Sequence, residues 1–253
     1  MIKRLILLSL ILSIFTLTLS FSQSVTFDPN KDLIAYFPFD ENLKDATGKF
    51  GEGKVVGVRI QVPAATIEYT DGVIGKALLL TGQRGVVLPD DLIKDYDYSV
   101  SFWVYIERFT MHTTTFFGVY IDPQGAFHWI SFVPFGWSQG TLLWARDDAK
   151  DIWYDGLFSE NLQTEKWYHV VVVVDKGKAK VYVNGKQMIT KVQINGKPTE
   201  EGLVPDIFSL KPGGTFAVGV NYWDPALRGK FDELRIYDRA LSESEVLALY
   251  NLR

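Results

Sequence analysis

The chain has 253 residues, of which 47% are hydrophobic and 14% aromatic, and this composition excludes a disordered or low-complexity protein. A net charge of −4 argues against nucleic acid as a partner, because binding to a polyanion needs a broad basic surface. Since the chain has no cysteine, disulfides, zinc–thiolate sites, iron–sulfur clusters and thiol nucleophiles are excluded.

The N-terminal segment has the residue order of a secretory signal. A basic pair precedes an apolar stretch that ends near Leu19, and Ser20 and Ser22 follow as a small-residue cleavage motif. We therefore expect residues 1–22 to be a signal peptide and residues 23–253 to be one domain that is secreted, periplasmic or at the cell surface. The alternative is an uncleaved membrane anchor, because the apolar stretch approaches the roughly 20 residues that span a bilayer. No second stretch of that length follows, so we expect no membrane insertion after cleavage.

Short strands separated by turn residues fill most of the remaining chain. The predicted strands are, in chain order, 33–39, 55–62, 75–80, 86–88, 98–106, 167–175, 178–183, 216–221 and 230–237. In the strand 98–106, apolar residues alternate with serine and aromatic residues, so both of its faces carry side chains that need cover. A capping box that starts at Ser242 begins a short C-terminal helix. Together these elements predict an all-β fold, a two-sheet antiparallel β-sandwich with one short helix.

Five segments occur in a recognisable order along the chain: AYFPFD at 35–40, GKALLLTG at 75–82, YSVSFWV at 98–104, WYHVV at 167–171 leading into VYVNG at 181–185, and GKFDELRIYDRALS at 229–242. This order resembles that of the laminin-G-like, concanavalin A-like jelly-roll family of lectins and glucanases. The resemblance covers about residues 33–251 and implies a jelly-roll sandwich. It also implies a carbohydrate-binding or adhesion domain, often with a structural calcium ion, although some relatives are glycoside hydrolases or polysaccharide lyases.

The resemblance also indicates a calcium site. In the resembled family, the aspartate that closes the first strand lies near the aspartate of the last strand's Phe-Asp-Glu segment, and these positions are Asp40 and Asp232 here. Calcium binds about six to eight oxygens, many of them from carboxylates, so we expect both residues to be metal ligands and calcium to be a structural cofactor. Without the resemblance, Asp40 is a turn residue that caps its own backbone, and Asp232 is a salt-bridged sheet residue.

Carboxylates with a catalytic spacing are missing from the sequence. A retaining glycosidase needs two carboxylates about 5 Å apart, which on one strand requires alternating positions. Asp232 and Glu233 are adjacent, so they face opposite sides of the strand, and the acidic group at 147–151 is interpreted as a solvated turn. We therefore assign no catalytic residue, while lyase chemistry, which has no compact motif, stays open.

Aromatic residues are concentrated between Phe116 and Tyr154 at a density above the needs of a core. Sugar rings stack on indole faces, and their hydroxyls bond to amides, carboxylates and guanidinium groups. The candidate ligand-binding residues are Trp129, Trp137, Trp153, Tyr154 and Trp223. Trp137 and Trp223 are expected to be exposed because both lie in turn-like segments. The alternative is that most of these aromatic side chains belong to the core, as we expect for Trp103 and Trp167.

The function that we expect is that of an exported, noncatalytic, lectin-like domain that binds a polysaccharide or another glycan, or mediates adhesion. One alternative is a glycoside hydrolase or polysaccharide lyase on the same fold, and another is an envelope protein–protein interaction domain. A convergent carboxylate pair would favour the enzyme, an aromatic groove would favour glycan binding, and a large flat apolar patch would favour a protein partner.

Overall fold

The computed structural model describes residues 27–136, 140–209 and 213–253. Its strands and helix are β1 Leu33–Phe37, β2 Lys54–Val56, β3 Glu68–Asp71, β4 Lys76–Thr81, β5 Gly85–Val87, β6 Tyr98–Ile106, β7 Phe116–Ile121, β8 Phe127–Gly136, β9 Gly140–Asp147, β10 Ile152–Phe158, β11 Trp167–Asp175, β12 Lys178–Val183, β13 Lys186–Gln187, β14 Ile189–Ile194, β15 Lys197–Thr199, β16 Thr215–Val218, β17 Arg228–Tyr237 and α1 Glu243–Tyr250. The predicted signal peptide, residues 1–22, lies outside the described residues.

The strands form two antiparallel sheets that pack face to face. Sheet 1 has the strand order β13-β12-β11-β6-β17-β4-β3, and β1 also pairs with β17. Sheet 2 has the strand order β15-β14-β10-β9-β8-β7-β16-β5-β2. The predicted two-sheet antiparallel β-sandwich is therefore confirmed, together with its short C-terminal helix.

The main core lies between the two sheets, and β6 shows how the sequence places residues in it. Val100, Phe102 and Val104 alternate along β6, and all three are fully buried in this core. The ring of Phe102 stacks on that of Phe231 from β17, with 4.9 Å between the ring centroids. The period-two pattern of this strand thus identifies its inward face.

The outward face of β6 is covered by the C-terminal segment. Ser242 caps α1 in a capping box with Glu245, as the sequence predicts. Val246 and Leu249 are buried against the outer face of sheet 1, and the ring of Trp103 stacks on Tyr250 with 5.7 Å between the centroids. The helix therefore buries side chains that would otherwise face solvent.

Some element bounds differ from those predicted. The predicted strand 55–62 is represented only by β2, which ends at Val56. The amide of Gly57 donates a hydrogen bond of 2.7 Å to the carbonyl of Val62, so the chain turns where the apolar residues continue. Among the described residues, no helix is long and apolar enough to span a bilayer.

Candidate functional site

Two rows of side chains cross the outer face of sheet 2, where β8, β9 and β10 form a meander. In the first row, Trp129 of β8 is paired with Arg146 of β9, which is paired with Trp153 of β10. Residues paired directly across neighbouring strands share a face of the sheet. The second row, two residues further along the strands, consists of Ser131, Trp144 and Asp155.

Tyr154 lies on the opposite face of the same meander. It is paired with Ala145, which is paired with Ile130, and all three residues are buried in the main core. Successive residues of a strand point to opposite faces, so Tyr154 does not share the face of Trp153. The structure places Tyr154 in the core, and the assignment of this residue to the ligand-binding face is corrected accordingly.

The two rows and the loop after β16 enclose a cavity of about 360 Å³, which we call the aromatic pocket. Its lining combines five aromatic side chains with charged and polar ones: Phe127, Trp129, Ser131, Trp144, Arg146, Asp148, Trp153, Asn221, Trp223 and Asp224. Of the predicted ligand-binding residues, the structure brings Trp129, Trp153 and Trp223 together in this pocket. Trp137 lies outside the described residues.

Three of the pocket's tryptophans pack edge to face. The ring centroids of Trp129 and Trp144 are 5.5 Å apart at an interplanar angle of 86°. Trp153 lies 5.9 Å from Trp129 and 5.1 Å from Trp144, again at steep angles. Aromatic pairs favour this geometry, and Trp129 and Trp144 are each only 7% exposed. The rings of Trp129 and Trp144 form the rigid bottom of the pocket. Because they are steeply inclined to each other, they do not present one flat surface.

Trp223 reaches the pocket from a loop that is held by Asn221. The side-chain oxygen of Asn221 accepts hydrogen bonds from the amides of Trp223 at 2.8 Å and Asp224 at 2.7 Å. Its side-chain nitrogen donates to Oδ2 of Asp224 at 2.7 Å. An asparagine that binds the backbone two and three residues ahead fixes a turn. The indole of Trp223 is 45% exposed and forms the open wall of the pocket.

Arg146 is clamped in position between the tryptophans. Its Nε donates to Oδ1 of Asp148 at 2.6 Å, and its Nη2 donates to Oδ1 of Asp151 at 2.9 Å. The guanidinium also lies 5.1 Å from the ring centroid of Trp153. Burial opposes the charged form of Arg146, but the hydrogen bonds to both carboxylates raise its pKa. The remaining N–H groups of the guanidinium are therefore pre-oriented donors for a ligand oxygen.

Asp224 is a partly buried carboxylate on the other side of the pocket. Burial raises its pKa, and the hydrogen bond from Asn221 together with the charges of His112 and Arg59 partly offsets that effect. The Nδ1 atom of His112 lies 3.9 Å from Oδ1 of Asp224, and its ring lies 5.3 Å from that of Trp144. His112 thus packs beside the pocket, although its isolated position in the sequence gave no sign of this.

Within the acidic group at 147–151, Asp148 and Asp151 lie in an exposed turn as predicted, but Asp147 does not. Asp147 is fully buried, and its Oδ1 lies 3.0 Å from Nδ1 of His128, while its Oδ2 lies 3.3 Å from the ammonium of Lys150. Asp148 lies on the other face and lines the aromatic pocket. Asp147 is the last residue of β9, and Asp148 is the first residue of the turn that follows it.

The other two tryptophans lie outside this pocket. Trp103 is 4% exposed beneath α1, so its prediction as a buried residue is confirmed. Trp167 is only partly buried, on the outer face of sheet 1, where its ring packs edge to face on Tyr105 with 5.8 Å between the centroids. The expectation that Trp167 belongs to the core therefore needs correction.

Asp40 and Asp232, the predicted calcium ligands, both bind the loop at 72–76. Oδ1 of Asp40 accepts a hydrogen bond of 2.6 Å from the amide of Lys76, and Oδ2 of Asp232 accepts one of 2.7 Å from the amide of Val73. Asp232 is fully buried, its Oδ1 has no hydrogen-bond partner, and burial raises its pKa to about 7. Among the described residues, no group of three or more His, Cys, Asp or Glu side chains is arranged to hold a metal ion.

Comparison with known proteins identifies the family. Residues 80–247 match the family model Laminin_G_3, described as the concanavalin A-like lectin/glucanases superfamily. The chain belongs to this family. Among curated proteins, no match to the chain was found.

Solved structures give the same fold. The chain is similar to domain 4 of AbnA, a GH43 extracellular arabinanase from Geobacillus stearothermophilus, which was solved in complex with arabinotriose; the identity is 44%, the TM-score is 0.75, and the match covers 87% of this chain and 98% of that one. The binding domain of Paraclostridial Mosquitocidal Protein 1 matches at 16% identity and a TM-score of 0.60, over 88% of this chain and 52% of that one. Trypanosoma rangeli sialidase matches at 17% identity and a TM-score of 0.54, over 88% of this chain and 33% of that one. The last two similarities concern the fold alone.

Proposed function

We propose that this chain is a noncatalytic carbohydrate-binding domain whose aromatic pocket binds an arabino-oligosaccharide. The observation that carries the proposal is the pocket itself, in which four tryptophans surround the clamped guanidinium of Arg146 and the carboxylates of Asp148 and Asp224. Indole faces suit the CH faces of sugar rings, and the charged groups suit the hydroxyls. A cavity of about 360 Å³ lies at the small end of ligand pockets, which suits a short segment of a glycan.

The choice of sugar is supported by the 44% identical domain that was solved in complex with arabinotriose. Isothermal titration of the purified chain with arabinotriose tests it. We expect Trp153→Ala to weaken binding by about 5- to 150-fold, the range for losing a well-placed aromatic contact. Trp167→Ala is the matched control, because Trp167 is also a partly buried tryptophan but lies on sheet 1, and it should bind like the wild type. If the wild type binds neither arabinotriose nor any sugar of a glycan array, the proposal fails.

A glycoside hydrolase is the second candidate, because Asp148 and Asp224 line the same pocket and the pKa of Asp224 is raised by burial. Both carboxylates, however, already serve as acceptors: Asp148 binds Arg146, and Asp224 binds Asn221. This engagement favours binding over catalysis. Prolonged incubation with arabino-oligosaccharides, followed by product analysis, decides between them. Shorter products that disappear with Asp224→Asn would establish the hydrolase, and unchanged oligosaccharide supports the binding domain.

We also propose that Asp40 and Asp232 hold a structural calcium ion beside the loop at 72–76. The buried and unpartnered Oδ1 of Asp232 supports this, because a buried carboxylate oxygen without a partner is costly and a cation would compensate for it. Calcium should raise the melting temperature of the wild type, since an ion that binds only the folded chain stabilises it. The increment should vanish in Asp40→Asn and in Asp232→Asn, and persist in Asp71→Asn, a control whose side chain is 92% exposed. Identical wild-type melting in calcium and in chelator would refute this site.

Export is proposed on two grounds. The N-terminal residues follow the order of a secretory signal, and the 44% identical domain comes from an extracellular enzyme. The mature chain should then begin at Gln23. N-terminal sequencing of secreted material tests this, and secreted protein that retains residue 1 would contradict it.

A further inference from the structure

Carboxylates outnumber cations around the aromatic pocket. Asp148 and Asp224 line it, and Asp155 lies on the same face of sheet 2, where its Oδ1 accepts a hydrogen bond of 3.2 Å from the indole of Trp153. Among the lining residues that the structure describes, Arg146 is the one cation. The balance of charge at this site is therefore negative.

The charge of Arg146 is already largely compensated inside the protein. Its guanidinium forms ion pairs with Asp148 at 2.6 Å and with Asp151 at 2.9 Å. The nearby ammonium of Lys150 pairs with Asp147, which is buried on the opposite face of the sheet. The charges that oppose the carboxylate of Asp224 come from His112 and Arg59. The charges of Arg146 and Lys150 are thus compensated by carboxylates within the fold, which leaves Arg146 as a hydrogen-bond donor more than as an unpaired positive charge.

From this arrangement we infer that the aromatic pocket selects uncharged glycan segments and rejects glycans that carry carboxylate or sulfate groups. The inference rests on the proposed function, because it defines the charge class of the sugar bound at the same site. Hydroxyls can donate to the carboxylates and accept from the guanidinium. An anionic group that enters the pocket meets like charges at short range, and this repulsion lowers its affinity.

The sign of the electrostatic potential at the aromatic pocket can be measured without any sugar. Tryptophan fluorescence is quenched in turn with a cation, caesium, and with an anion, iodide. The difference between the wild type and Trp223→Phe isolates the signal of Trp223, which is 45% exposed. We expect caesium to quench this tryptophan more efficiently than iodide, relative to exposed indole in solution. The double variant Asp148→Asn with Asp224→Asn should reduce that preference. The control, Glu68→Gln with Glu160→Gln, removes two exposed carboxylates elsewhere and should preserve it. Quenching of Trp223 by iodide at least as efficient as that by caesium overturns the inference.

A second measurement tests discrimination between ligands. Arabinotriose whose reducing end is oxidised to the aldonic acid is compared with arabinotriose whose reducing end is reduced to the alditol, so the two probes share an open-chain end and differ in charge. At low salt the acid should bind the wild type about tenfold more weakly than the alditol. This difference in affinity should become smaller with added salt and in the Asp148→Asn, Asp224→Asn variant. Equal affinity for both probes overturns the inference. If neither probe nor arabinotriose binds while caesium still quenches more than iodide, the proposed ligand is wrong but the anion-repelling pocket stands.

Discussion

Replacing Trp223 with alanine should reduce ligand binding strongly and stability only moderately. The indole is 45% exposed, and its buried edge contacts Phe127 and Trp129 at centroid distances of 5.1 Å and 6.0 Å. Truncation of a fully buried tryptophan costs about 3 to 5 kcal/mol, so truncation of a ring that is roughly half buried should cost about 1.5 to 2.5 kcal/mol of unfolding free energy. Loss of its face from the pocket should remove about 1 to 3 kcal/mol of binding, or about 5- to 150-fold in affinity.

The assay pairs chemical denaturation with titration of arabinotriose on the same preparations. Trp103→Ala is the contrasting variant, because Trp103 is 4% exposed between His169 and Tyr250 on sheet 1. It should lose about 3 to 5 kcal/mol of stability while its folded fraction keeps the wild-type affinity. Trp223 is not an exposed ligand contact if Trp223→Ala binds like the wild type, or if this variant loses as much stability as Trp103→Ala.

Three further predictions concern the scaffold. Gly75→Ala should lose about 1 to 3 kcal/mol in thermal denaturation, because Gly75 has φ +58° and an added Cβ would clash with Oδ1 of Asp40; unchanged melting would contradict the described loop. Tyr154→Phe should change stability by less than about 1 kcal/mol and leave glycan affinity unchanged, because it removes a buried hydroxyl without a hydrogen-bond partner. A loss of glycan affinity in this variant would show that Tyr154 belongs to the binding site after all. Hydrogen bonds from Arg239 lower the pKa of Glu245 from 4.5 to about 2, so its stabilisation is present above pH 4.5 and is lost as the pH falls towards 2. Because the Arg239–Glu245 ion pair is partly exposed, Glu245→Gln should lower the free energy of unfolding by only about 1 kcal/mol at neutral pH. Urea denaturation should show this difference between wild type and variant shrinking as the pH falls, and a difference that stays constant would contradict the stabilising role of the pair.

The fold was largely predictable because period-two patterns and turn residues are local signals. The bounds of β6, β11 and β12 agree with the predicted strands 98–106, 167–175 and 178–183. In each, a run of branched or aromatic residues ends at a clear turn. The strand 55–62 was overextended because a tight turn at Gly57 interrupts an apolar run, and that turn depends on a backbone hydrogen bond to Val62. A backbone hydrogen bond of this kind cannot be predicted from the amino-acid composition of the segment.

The site was only partly predictable, because cross-strand register decides which side chains meet. Aromatic density pointed to Trp129 and Trp153, but the position of Arg146 between them depends on how three strands align. Strand alternation was the available signal for Tyr154, since an immediate neighbour of Trp153 must face the other way. Asp147 is buried at the end of β9, whereas Asp148, in the turn that follows, lines the pocket. Partners such as Asp224 come from a loop distant in sequence, and only the folded chain brings them together.

The aromatic pocket is the proposed glycan-binding site, and the indole N–H signals of the chain's seven tryptophans test this proposal most directly. Titration of arabinotriose into ¹⁵N-labelled protein should shift the indole resonances of Trp129, Trp144, Trp153 and Trp223, which all line the pocket. The resonances of Trp103 and Trp167, on sheet 1, should stay in place. Shifts confined to Trp103 or Trp167, or saturating binding that moves none of the four pocket indoles, would contradict the account.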